Sequence, residues 1–200
     1  MIFIFDLDDT VCDTDLYSEH YILNFIKEYN LPYKQIAKTT RFAEKKFDWN
    51  TDSALKWYKE YGDDMMANFP CKENAVDVIN GLYDLGHTII IATARANDWH
   101  TDPENVTLNW LKKNKIKYHK VYIGRIDKEV ICEEENADIF VDDDINTTQR
   151  VANYFKTQNS STKKSFLMTT DYNKNLVFSP DVIRVKDFND FLSKVNKLQQ

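Results

Sequence analysis

Two short apolar runs end in clustered carboxylates. Ile2-Phe3-Ile4-Phe5 leads into Asp6-Leu7-Asp8-Asp9-Thr10, and Ile139-Phe140-Val141 leads into Asp142-Asp143-Asp144. A strand that stops at an acid puts that acid at the carboxyl edge of its sheet, where open α/β folds bind ligands. One acidic pair in a turn is ordinarily just solvated. Two clusters at the tips of neighbouring strands would bring six carboxylates together, and such a group needs a cation. Hard oxygen donors without soft ones point to Mg²⁺. A third run, Ile89-Ile90-Ile91-Ala92, ends in Thr93-Ala94-Arg95. A hydroxyl at a strand tip and the backbone N–H groups after it suit phosphate oxygens. Lys128 stands before an expected helix at Glu129 to Glu134, between the third run and the second acid cluster. Lys117 and Lys120 fall before or on a strand and are the weaker candidates.

Elements that could position these groups follow from the hydrophobic pattern. Six short strands are expected at Ile2 to Phe5, Thr88 to Ala92, Lys120 to Ile123, Ile139 to Val141, Ser165 to Met168 and Val182 to Val185. They are apolar on both sides, as buried parallel strands tend to be. Between them lie helical stripes. Ile22, Phe25, Ile26 and Tyr29 form one that Pro32 limits, and Val76, Ile79, Leu82 and Tyr83 form another that Gly86 closes. Asp102-Pro103-Glu104 reads as a cap opening a helix through Trp110, Asn146 with Gln149 resembles a capping box, and Asp187 caps a last stripe from Phe188. This alternation predicts a doubly wound, mostly parallel α/β sheet. It breaks from Val11 to about Cys71, where no convincing strand occurs and aromatic residues crowd. That interval reads as a helical insertion resting on the sheet domain.

The 200 residues carry 26 Lys and Arg against 32 Asp and Glu, a net charge of −6. That balance argues against a general nucleic-acid or anionic-membrane surface, but not against a small phosphorylated ligand. No apolar run nears the roughly 20 residues that span a bilayer. No signal peptide is read at the start. Cys12, Cys71 and Cys132 are odd in number and far apart, which suits reduced thiols in a cytoplasm rather than a disulfide framework.

Taken in order, Asp6-Leu7-Asp8-Asp9-Thr10, Thr93, Lys128 and Asp142-Asp143 resemble the haloacid dehalogenase (HAD) superfamily of phosphohydrolases. That family shows DxDx[TV], a strand-terminal Thr or Ser, a Lys and a strand-terminal acid pair. The match runs from residue 5 to 143. Asp9 stands where many members carry Gly, and Asp144 is a third acid that leaves open which two act. Within the superfamily, the chain is similar to the 5'(3')-deoxyribonucleotidase branch and its bacterial and phage relatives. The carrying features are the insertion directly after the first motif, Thr93-Ala94-Arg95, Thr107-Leu108-Asn109-Trp110-Leu111, and Phe140-Val141-Asp142-Asp143.

The resemblance implies a Rossmann-like HAD core from 1–10 and 72–200, with a small helical cap at 11–71. It implies a Mg²⁺-dependent phosphomonoesterase acting through an aspartyl-phosphate. Asp6 would be the nucleophile and Asp8 the acid and base. Thr93, Ala94 and Lys128 would hold the phosphoryl oxygens. Mg²⁺ would lie on Asp6, the backbone carbonyl of Asp8, Asp142 and Asp143, the last by orienting a water. The expected partner is a (deoxy)nucleoside monophosphate, with Phe42, Trp49 and Arg95 against it; Phe47 and Trp57 are further rings that could stack a base. A phosphatase of another small ester or of a polynucleotide end is the near alternative. A phospho-accepting signalling module is the distant one, disfavoured by the spacing of Asp6 and Asp8 and by the long insertion.

Overall fold

The computed structural model describes residues 1–31, 43–97 and 100–198. Six strands form one sheet: β1 (Ile2–Phe5), β2 (Thr88–Thr93), β3 (Lys120–Ile123), β4 (Ile139–Asp142), β5 (Lys164–Met168) and β6 (Val182–Val185). Their order is β3-β2-β1-β4-β5-β6, and every pair is parallel. The helices are α1 (Thr14–Tyr29), α2 (Ala43–Phe47), α3 (Thr51–Asn68), α4 (Ala75–Asp84), α5 (Pro103–Lys113), α6 (Lys128–Glu134), α7 (Ile145–Thr157) and α8 (Phe188–Leu198).

The two-residue period of a strand explains the layers. Phe3 and Phe5 of β1 face a core shared with Ile79 and Leu82 of α4 and with Phe188 and Phe191 of α8. Ile4 faces the other way, into a core with Ile131 of α6 and with Val151 and Phe155 of α7. Both faces of the sheet are therefore covered, as a doubly wound fold requires. Chain order reverses between β1 and β4, and the crevice at that reversal is where such sheets bind ligands.

Helix ends mostly follow the residues that mark them. Asp102 accepts from Asn105 N–H and Asp187 from Asp190 N–H, as expected of caps. Gly86 adopts φ 84°, the left-handed conformation of a residue that closes a helix. One expectation is corrected: the helix from Ile145 is capped by Asp144, whose carboxylate accepts from Thr147 N–H, and not by Asn146. Helix α1 ends at Tyr29, and Asn30 caps it in the left-handed conformation at φ 49°.

Helices α1 to α3 lie between β1 and α4 in the chain. The two connecting segments are tied side by side: Asp13 N–H donates to Pro70 C=O and Lys72 N–H to Val11 C=O. Trp110 of α5 donates its Nε1–H to Phe69 C=O at the end of α3, 2.8 Å away. Phe25, Trp49 and Trp57 belong to the same continuous core as Phe5 and Trp110. Among the described residues no helix is long and apolar enough to cross a membrane.

Cys12, Cys71 and Cys132 are free thiols. Burial pushes Cys12 and Cys132 well above the usual thiol range and Cys71 up to about 11. Only the thiolate attacks a disulfide reagent. Native protein at pH 8 should therefore react slowly, at Cys71 first, and yield all three thiols once denatured. A fast native titration of three thiols would contradict this packing.

Candidate active site

Asp6 follows β1 directly, and its N–H donates to Val141 C=O at 2.9 Å. This extends the β1–β4 pairing by one step and sets Asp6 beside Asp142. Asp6, Asp142 and Asp143 are all buried, and one carboxylate oxygen from each lies within 4.8 Å of the others. Lys128, the first residue of α6, bridges two of them: its Nζ is 2.5 Å from Asp6 Oδ1 and 2.7 Å from Asp142 Oδ2. Burial pushes the Asp6 carboxyl up to about 7, with Asp142 and Asp8 adding to the rise and Lys128 opposing it. Burial alone would lower Lys128, but Asp142 and Asp6 outweigh it and hold the ammonium well above its ordinary value. Lys128 sets one ammonium against two of these three crowded carboxylates. Buried oxygens so arranged fit a divalent hard cation.

The loop after β1 is wound tightly. Leu7 C=O accepts from the N–H groups of Thr10, Val11 and Cys12. Asp9 sits at φ 58°, which explains why glycine suits this position and why Asp is tolerated. Its Oδ1 accepts from Thr14 N–H and Asp15 N–H at 2.9 Å each, so Asp9 serves the start of α1. Thr10 is fully buried and donates its hydroxyl to Asp143 Oδ1 at 3.2 Å. With Asp144 used as a helix cap, Asp142 and Asp143 are the two acids turned to the site.

Asp8 points toward β2. Thr93 Oγ1 lies 3.4 Å from Asp8 Oδ2, and Arg95 grips the same carboxylate through Nε at 3.0 Å and Nη2 at 2.8 Å. The Arg95 guanidinium, expected against a substrate, is buried and every nitrogen has a protein partner, with Nη1 on Thr107 Oγ1 and Nη2 also 3.6 Å from Cys12 Sγ.

A cavity of about 470 Å³ opens beside Asp8, Ala94 and Arg95. Trp57, Tyr58, Met65, Met66 and Phe69 make its walls largely apolar, and His100 and Arg125 add polar groups. The Trp57 Nε1 and His100 Nδ1 atoms are buried without a hydrogen-bond partner. Burial also lowers the His100 pKa. Trp49, an expected stacking ring, is instead packed among Phe25, Phe47 and Trp57 and does not line this cavity. Phe42 lies outside the described residues.

Tyr172 and Asn173 were not anticipated. Tyr172 donates its hydroxyl to Asp143 and also reaches Asp9 Oδ2 at 3.3 Å. The buried Asn173 side chain donates to Asp143 C=O and Met168 C=O. Both follow β5, so their only signal was a place just beyond another strand tip.

No family model and no curated protein matches the chain. Solved structures do resemble it. A haloacid dehalogenase-like family hydrolase from Streptococcus pneumoniae aligns with TM-score 0.68 at 14% identity, covering 96% of this chain and 97% of that one. A Haemophilus somnus protein described as a predicted phosphoglycolate phosphatase gives TM-score 0.66 at 18% identity, covering 100% and 97%. The Bacillus subtilis protein YfnB, described as a HAD-hydrolase and solved bound to magnesium, gives 0.62 at 13%, covering 98% of each. The chain thus has the α/β fold of HAD-type hydrolases.

Proposed function

We propose that this protein is a Mg²⁺-dependent phosphomonoester hydrolase of the HAD superfamily that acts on a (deoxy)nucleoside monophosphate. The carrying observation is the buried trio Asp6, Asp142 and Asp143 with Lys128 bridging two of them. Asp6, Asp142, Asp143 and the Asp8 backbone would hold the ion. Bound Mg²⁺ would offset charge, so that a carboxylate can approach a phosphate dianion.

Asp6 attacks phosphorus and becomes an aspartyl-phosphate. Asp8 gives its proton to the leaving oxygen, then takes one from the water that hydrolyses the intermediate. Thr93, the backbone after it at Ala94, and Lys128 hold the phosphoryl oxygens. Segment 11–71 acts as a cap over the core of 1–10 and 72–200, and selects the leaving group. Reduced thiols are in keeping with a cytoplasmic setting.

The nucleotide reading is supported by the cavity beside Asp8. Its apolar walls suit a flat ring, and His100 and Arg125 add polar side chains to the lining.

Phosphate release over a panel of nucleoside monophosphates, sugar phosphates and para-nitrophenyl phosphate tests the substrate class. Trp57→Phe keeps a ring but trims the area of the cavity wall. It should cost about tenfold in kcat/KM on the preferred nucleotide, equivalent to ~1.4 kcal/mol and within the range of one base stack, and under about twofold on para-nitrophenyl phosphate. Trp49→Ala should instead lower stability by about 3–5 kcal/mol in a denaturant titration and affect both substrates alike. No nucleotide preference, with Trp57→Phe inert on every ester, would retire the nucleotide reading.

A further inference from the structure

We propose that Arg95 is the positioning residue for Asp8, an inference that rests on the phosphatase reading above. Register explains how they meet. Phe5 pairs with Ile91, so the chains leaving the tips of β1 and β2 carry Asp8 and Arg95 to the same place. Both Asp8 oxygens are bound by the guanidinium fork, Oδ1 by Nη2 at 2.8 Å and Oδ2 by Nε at 3.0 Å. Such a fork fixes the plane of a carboxylate, which a single ammonium does not. Thr107 of α5 holds the third nitrogen at 3.3 Å, so the fork is itself anchored.

The placement matters because Asp8 sits at the end of a tight loop and its side chain is partly open, while Arg95 is buried behind it. The fork holds both carboxylate oxygens at once, whereas the Thr93 hydroxyl reaches Oδ2 alone at 3.4 Å. In the first step an Asp6 oxygen bonds to phosphorus and the bond to the leaving oxygen breaks. That oxygen takes the proton of the Asp8 carboxyl. In the second step water bonds to phosphorus, the bond to Asp6 breaks, and a water proton goes to Asp8. Both transfers need Asp8 at a fixed angle to the line of attack. Arg95 does not hold the phosphate in this scheme, since Asp8, Thr107 and Cys12 already occupy its nitrogens.

The test uses leaving groups that differ in their need for a proton. An alkyl phosphate needs the acid, whereas 2,4-dinitrophenyl phosphate leaves without one. Arg95→Lys keeps the buried charge and loses the fork. With Mg²⁺ present it should lower kcat/KM at least about tenfold on the alkyl ester and less than about threefold on the dinitrophenyl ester. On the dinitrophenyl ester kcat should still fall, because hydrolysis of the phospho-enzyme uses Asp8 as base. In an Asp8→Asn background, adding Arg95→Lys or Arg95→Gln should change neither ester by more than about threefold. The double variant with Arg95→Gln also removes both charges together, which guards against an unpaired buried ion. Equal losses on both esters, no loss on either, or a full further loss in the Asp8→Asn background would overturn the role of Arg95. Turnover retained by Asp6→Asn would instead overturn the phosphatase reading itself.

Discussion

An Asp6→Asn variant should fold and lose at least about a thousandfold in kcat on every phosphomonoester, in line with what removal of a covalent nucleophile costs elsewhere. The substitution keeps the shape of a buried side chain and exchanges one oxygen for a poorly nucleophilic amide nitrogen. The fold should tolerate it for a reason visible in the site. Asp6 is packed against Asp142 with its carboxyl pushed up to about 7, so a neutral group there relieves repulsion. Lys128 retains Asp142 as its partner at 2.7 Å. Circular dichroism and the melting temperature should therefore stay near those of the parent chain while phosphate release vanishes. Rapid-quench experiments on the parent chain should trap one acid-stable phosphoryl group per site, and the variant should trap none. Comparable turnover in the folded variant would remove the covalent route. Asp8→Asn should differ in kind, because it slows both steps without removing the attacking atom.

The positions of Asp6, Asp142 and Thr93 were legible because a strand tip is a property of local sequence, and Lys128 was read at the start of a helix. An apolar run of four residues that stops at a polar one places that residue at the sheet edge, whatever the rest of the chain does. The six strands and their parallel order follow from the same alternation of runs and stripes. Contacts between segments far apart in the chain were not legible. Arg95 was read as a ligand contact because nothing local shows that Asp8, 87 residues away, takes its guanidinium. Tyr172 on Asp143 is another such contact, made from the loop after β5 to the tip of β4. The tryptophans show the same limit within the helical insertion. Trp49 and Trp57 are equally good stacking rings by type. The packing of Phe25 and Phe47 around Trp49 leaves Trp57 as the one of the pair that lines the cavity. Asp9 is the reverse case, since a residue that departs from the family pattern proves compatible once its φ of 58° and its bonds to the start of α1 are known.

Withdrawal of divalent cations should abolish activity and loosen the fold, and Mg²⁺ should restore both. Asp6, Asp142 and Asp143 crowd three buried carboxylates into one place, with Lys128 on two of them. An ion present at about 100 times its dissociation constant contributes about 2.7 kcal/mol to stability. For a chain near this size that is roughly 5–10 °C in melting temperature, at 2–4 °C per kcal/mol. The size of this shift should depend on pH with a defined sign. The ordinary carboxyl value is 3.8 and Asp6 in the folded, ion-free protein lies at about 7. Between those values the folded state binds more protons than the unfolded one, so stability of the ion-free protein falls as pH rises from about 4 to 7. Metal binding requires the deprotonated carboxylate, so the gain from Mg²⁺ should grow over the same window. Melting curves at pH 5 and pH 8, each with EDTA or with excess Mg²⁺, should show the larger shift at pH 8. Asp142→Asn should shrink that shift, and Asp143→Asn should do the same through a carboxylate that Thr10 and Tyr172 hold in place. Full activity in metal-free buffer, or a melting temperature indifferent to Mg²⁺ at pH 8, would take the cation out of this site.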